Sequence, residues 1–122
     1  MTTMTPPGPS YRRGQIALAL FPHSDLRTAK SRPVVIVQAD NLQTGLPQVI
    51  VAMITSQMSR AHHPSRVAII RATPEGRQSG LLTDSVVMTD NLATVAESEI
   101  DRTIGSLSMN QIDAALRHTL GL

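Results

Sequence analysis

The chain is written in short apolar runs, and none is long enough to build a helical core. Gln15–Phe21, Pro33–Gln38, Gln48–Thr55, Arg66–Arg71 and Ser85–Thr89 are each rich in Val, Ile, Leu or Ala and each end at turn-forming residues. Runs of this length and composition read as strands. Asn91–Val95 and Arg102–Gly105 add two shorter pieces. The first run stops at Pro22, and the unbroken apolar character of Pro33–Gln38 predicts a strand buried on both faces. A helical period holds only over Met109–Leu120, where Met109, Ile112, Ala115, Leu116, Thr119 and Leu120 share a face. Ser108 and Gln111 stand at capping-box spacing before it, and Gly121 ends it. The pattern predicts a mainly β fold: a strongly bent sheet or small barrel with one C-terminal helix.

A chain of 122 residues suffices for one domain with its own core. Residues 1–11, opening MTTMTPPGPS, read as a disordered tail, and residues 12–122 as the domain. The absence of cysteine excludes disulfides, thiolate nucleophiles and cysteine zinc sites, and fits a reducing, cytoplasmic setting. The apolar stretch Ile16–Phe21 is too short for a bilayer and lacks the flanks of a secretion signal. Three segments are long for connections in so small a domain: His23–Arg32, Ser56–Ser65 and Ala72–Gly80.

Charge is divided along the chain. Residues 1–80 carry nine bases against three acids, and residues 81–122 carry two against six, giving +6 and −4 within the overall +2. Ten of the eleven bases are arginine, whose forked donors suit phosphate. A polyanion or an acidic partner segment is the matching ligand for the first part. With Tyr11 and Phe21 the only aromatic residues, no stacking platform for bases can be built. Phosphate and polar base-edge contacts must therefore dominate any RNA binding. The adjacent His62 and His63 lack the spacing of a metal pair on one element and read as solvated loop residues. His118 falls at the carbonyl end of the helix.

An ordered set of short motifs runs through residues 12–122. It comprises Arg13-Gly14-Gln15-Ile16, Phe21-Pro22, Lys30-Ser31-Arg32-Pro33 with its following valines, and Ile54-Thr55-Ser56-Gln57. Gly80-Leu81, Asp84-Ser85-Val86-Val87, Asp90-Asn91-Leu92-Ala93-Thr94-Val95 and Ile104-Gly105-Ser106-Leu107 complete it. In order and spacing the set resembles the MazF/PemK family of toxins. The resemblance implies an SH3-like small β-barrel with a C-terminal helix, a homodimer, and inhibition by a cognate acidic antitoxin. It also implies sequence-selective, metal-independent cleavage of single-stranded RNA to a 2′,3′-cyclic phosphate, with no cofactor. By the same resemblance the catalytic residues are Arg32 and Thr55, and the acid that some members place near the RNA is Asp90. Arg27, Lys30, Ser56, Gln57 and Arg60 are the accompanying RNA-binding candidates. Where many members carry a glutamate this chain has Arg27, and where members carry arginine it has Met88 and Ala93.

The chemistry of these residue types agrees. Attack by a 2′-hydroxyl builds negative charge on phosphate, and fixed donors aimed at that charge give the largest help a protein can offer. Arg32 and Thr55 are such donors. A guanidinium does not surrender its proton, so the proton acceptor must be another group, and Asp90 and His23 are the candidates. Two other readings stay open from sequence: a toxin of this fold that acts by binding, as a gyrase poison does, and an inactive remnant that only binds antitoxin.

Overall fold

The computed structural model describes residues 11–22 and 29–122. Six strands and two helices follow in the order β1 (Gln15–Pro22), β2 (Ala29–Ile36), β3 (Gln48–Thr55), β4 (Arg66–Ile69), α1 (Pro74–Ser79), β5 (Ser85–Ala96), β6 (Ile100–Ser106) and α2 (Asn110–Leu120). All pairings are antiparallel, in the sheet order β4-β5-β3-β2-β1-β6. The mainly β architecture with a C-terminal helix is as the pattern predicts. The sheet does not close, and β4 and β6 are its edges.

Side-chain alternation sorts the apolar residues into two cores. Ala17, Ala19, Phe21, Val34, Ile36, Val51 and Met53 pack on one face. Ile16, Val35, Ala52, Ile54, Val87 and Leu107 pack on the other, beneath Ile112 and Ala115 of α2. Val34, Val35 and Ile36 are each almost fully buried, so β2 is covered on both faces as its composition requires. Among the described residues no helix is long and apolar enough to cross a membrane.

Four local features differ from the sequence reading. The runs Ser85–Thr89 and Asn91–Val95 form one strand, β5, because its pairing to β3 continues across an irregularity: Met53 faces Met88, but Ala52 faces Leu92. Thr89, Asp90 and Asn91 lie in that irregularity. The helix α2 begins after Met109, which makes no side-chain cap bond, so the Ser108–Gln111 capping box does not form. The ion pair Arg13–Asp113 anchors its first turn instead. Segment 72–80 contains a helix, α1. Thr73 caps it through Oγ1, which accepts the Gly76 N–H at 3.0 Å, Pro74 opens it, and Gly80 closes it at φ +73°. Finally, His63 is exposed in its loop as expected but also makes specific contacts. Its Nδ1 accepts the Ser65 N–H at 3.1 Å, and its ring meets that of His118 edge-on at 6.1 Å.

The helix α1 sits directly on β6. A Cβ on Gly105 would stand 2.3 Å from the Ser79 carbonyl oxygen, and one on Gly80 1.9 Å from that of Ile104. These are backbone atoms, which cannot swing away. Gly105→Ala should therefore cost about 2–3 kcal/mol through overpacking, read as a lowered urea midpoint with unchanged m-value. Wild-type stability in that variant would show that α1 does not bear on β6.

Candidate active site

The strands β2 and β3 are paired only from Val34–Met53 through Ile36–Val51. The ladder begins at the residue after Pro33, which has no N–H to donate. Continuing the same register two residues outward sets Arg32 opposite Thr55. These two residues thus face each other where the strands part, and the gap is the mouth of a cleft of about 570 Å³. Its floor is Leu18, Ile54, Leu81 and Ile104, and Lys30, Ser31, Ser56 and Gln57 stand at its rim. The turn Gly80–Thr83, held by the close contact of α1 with β6, forms one wall.

Thr55 is 7% exposed. Its Oγ1 accepts the backbone N–H of Gln57 at 3.2 Å. That bond fixes the oxygen and leaves the hydroxyl proton available for donation into the cleft. Arg32 is half-buried, paired with Ala19 of β1 just before the β2–β3 ladder begins, and lines the cleft. The described ion pairs are Arg13–Asp113 and Arg66–Asp90, so neither Arg32 nor Lys30 is neutralised by a carboxylate among the described residues. The described lining contains three cations, Lys30, Arg32 and Arg102, and no acid.

The structure brings together Arg32, Thr55, Lys30, Ser56 and Gln57. It does not bring Asp90 or Arg60 to the same lining. Arg60 is exposed on the 3-10 turn Met58–Arg60, with Nη1 3.7 Å from the Met88 sulfur. Asp90 sits in the irregularity of β5 and pairs with Arg66, Oδ2 to Nη2 at 2.9 Å. His23 and Arg27 lie outside the described residues, as does Asp25. Arg102, Thr83 and Ser85 also line the cleft and escaped the sequence reading. Arg102 was counted with the acidic last third of the chain; a lone cation inside a predicted strand is the signal that marks it. Among the described residues no group of three or more His, Asp or Glu side chains could hold a metal ion.

The fold and cleft define a small β protein with a cationic opening between strand ends. The chain belongs to the PemK-like, MazF-like toxins of type II toxin–antitoxin systems, whose family model matches residues 12–120. It is similar to an endoribonuclease from a mycobacterial species solved in complex with its cognate antitoxin, at 25% identity. That match covers 93% of this chain and 97% of the other, with a TM-score of 0.71. The Mycobacterium tuberculosis toxin MazF-mt6 is 27% identical over 88% of this chain and 97% of its own, with a TM-score of 0.68. A MazE–MazF structure from Deinococcus radiodurans, 13% identical, covers 92% of this chain and 97% of that one with a TM-score of 0.66, and so shares the fold.

The hydrogen bond from Arg66 holds the Asp90 carboxyl below its ordinary value of 3.8, against the opposing effect of burial. A carboxylate with a depressed folded pKa adds stability above its unfolded pKa and loses it as pH falls through the folded one. The pair is partly exposed, so the contribution is at most about 1 kcal/mol. Asp90→Asn should therefore lower the urea midpoint at pH 7, and the difference from wild type should shrink as pH is taken below 3.8. A difference that stays constant with pH would show that Asp90 acts through something other than its charge.

Proposed function

We propose that this toxin is a metal-independent endoribonuclease that cleaves single-stranded RNA sequence-selectively in the cytoplasm. The observation that carries the reading is the placement of Arg32 opposite Thr55 at a cleft whose described lining holds three cations and no acid. In the reaction the substrate's 2′-oxygen bonds to phosphorus and the bond from phosphorus to the 5′-oxygen breaks. The products are a 2′,3′-cyclic phosphate and a 5′-hydroxyl. Arg32 and the Thr55 hydroxyl donate to the phosphate oxygens as negative charge gathers there. The 2′-hydroxyl proton leaves to an acceptor, and the 5′-oxygen takes one up. Asp90, ion-paired and of lowered pKa, is a weak base in this state, so His23 is the preferred acceptor. Lys30, Ser56 and Gln57 hold the flanking RNA at the rim, and Arg27 and Arg60 are further candidates for contact with it.

Loss of one preorganised donor costs on the order of 10²–10³ in rate. Arg32→Ala should show that loss while remaining folded. Cleavage by the wild type should persist in EDTA and should vanish when the scissile nucleotide is 2′-deoxy. Cleavage that needs a metal, or that survives 2′-deoxy substitution, would overturn the mechanism. Growth arrest on expression without RNA fragments would favour a toxin that acts by binding, and neither arrest nor fragments an inactive remnant.

Two partners complete the proposal. The similar mycobacterial endoribonuclease was solved with its cognate antitoxin, and a cationic cleft is silenced most simply by an acidic segment that folds onto it. A second copy of the chain is the other partner. Leu42, Ile50, Leu92, Leu116 and Leu120 line a separate apolar hollow, with Leu42 and Leu120 about half exposed. Clustered exposed leucines of this kind mark an interface, and twofold pairing covers such a face on both copies. Light scattering at roughly tens of micromolar protein should report a homodimer, and Leu120→Glu a monomer. A monomeric wild type would refute the pairing.

A further inference from the structure

We propose that Arg102 is a phosphate-binding residue of the cleft, gripping the phosphodiester next to the one held between Arg32 and Thr55. The inference rests on the reading of this cleft as an RNA site. Leu18 of β1 faces Pro33 of β2 on one side and Arg102 of β6 on the other. Arg102 is therefore two strand spacings from the Arg32–Pro33 step, about 10 Å between backbones. Both arginines line the cleft, and that separation fits neighbouring linkages of one RNA strand and not a single phosphate.

The backbone of β6 is shaped for this placement. Its pairing with β1 shifts register twice, between Ile16 and Ala17 and again between Leu18 and Ala19. The first shift passes over Ile104 and the second over Asp101, so bulges bracket the paired residues Arg102 and Thr103. Bulges bend a strand and re-aim its side chains. Here Arg102 lines the cleft, and its acidic neighbour Asp101, the unpaired residue of the bulge, is not among the lining residues. No described carboxylate is ion-paired with Arg102. The rim on this side is open and carries Leu82, 83% exposed, as an apolar surface for a base in a chain with no aromatic platform.

The placement separates the two arginines by role. Arg32 faces the scissile phosphate and acts on the transition state, whereas Arg102 holds a linkage that does not react and so contributes equally to ground and transition states. Uniform binding of this kind appears in KM and leaves kcat unchanged.

The test uses the full chain with Arg102→Ala and Arg102→Lys, a short RNA that the wild type cleaves, and its uncleavable analogue with 2′-deoxy at the scissile nucleotide. Arg102 is exposed, and both variants should melt as the wild type does. Arg102→Ala should raise KM about tenfold, the loss expected for one charge-assisted hydrogen bond, with kcat within about twofold. Arg102→Lys should recover part of the loss. The slope of log affinity against log salt for the analogue should fall by about 0.7, one phosphate contact on a single strand. A neutral methylphosphonate at the adjacent linkage should weaken wild-type binding and leave Arg102→Ala unaffected. A wild-type protein that neither binds nor cleaves RNA would sink the reading of the cleft. A wild type that cleaves, beside an Arg102→Ala variant with unchanged KM and salt slope or with a loss confined to kcat, would sink the Arg102 assignment alone.

Discussion

Burial of the central strands on both faces is the constraint from which the rest of the molecule follows. Val34 and Ile36 enter one core and Val35 the other, and the same division runs through β1 and β3. A sheet covered on both sides has no broad face left to present. Chemistry must then be placed where pairing stops and strand ends spread apart. The residue that stops the β2–β3 ladder is Pro33, with no amide proton to give. One proline therefore both ends the pairing and leaves its neighbour Arg32 facing Thr55 across the opening.

Rigidity of that opening comes from backbone contacts more than from side chains. The turn that walls the cleft follows α1, and α1 is seated on β6 where Gly80 and Gly105 leave no room for a Cβ. Thr55 is fixed by its own chain two residues on. For the proposed cleavage, donors held this way would need no reorganisation as charge develops on the phosphate. The cationic lining also has a cost. Like charges gathered around one cleft repel when it is empty, and an anionic ligand, substrate or antitoxin segment, relieves that repulsion.

The ion pair of Asp90 with Arg66 lies apart from the lining of this opening. Asp90 occupies a stretch of β5 that β3 does not pair, and the register shift turns it toward Arg66. The ion pair joins β4 to β5 and keeps the carboxylate charged. Nearby, the edge-on contact of His63 with His118 and the hydroxyl pair Thr89–Thr119 at 2.8 Å connect the β3–β4 connection and β5 to α2. The polar residues on that side knit secondary structure together.

Much was legible from the sequence because it depends on local pattern. The strand Gln48–Thr55 was bounded correctly by its apolar run, and the two-sided burial of β2 followed from its composition. Arg32 and Thr55 were singled out by the family resemblance alone, and the structure sets them at one cleft. Even the missed helix α1 carried local signals in Thr73, Pro74 and Gly80. What sequence could not supply is register. A bulge moves every later side chain to a different partner and leaves no fixed mark on the residues that form it. For that reason the union of β5 across Asp90, the pairing of Asp90 with Arg66, and the delivery of Arg102 from an acidic segment into a cationic cleft were decided by tertiary structure alone.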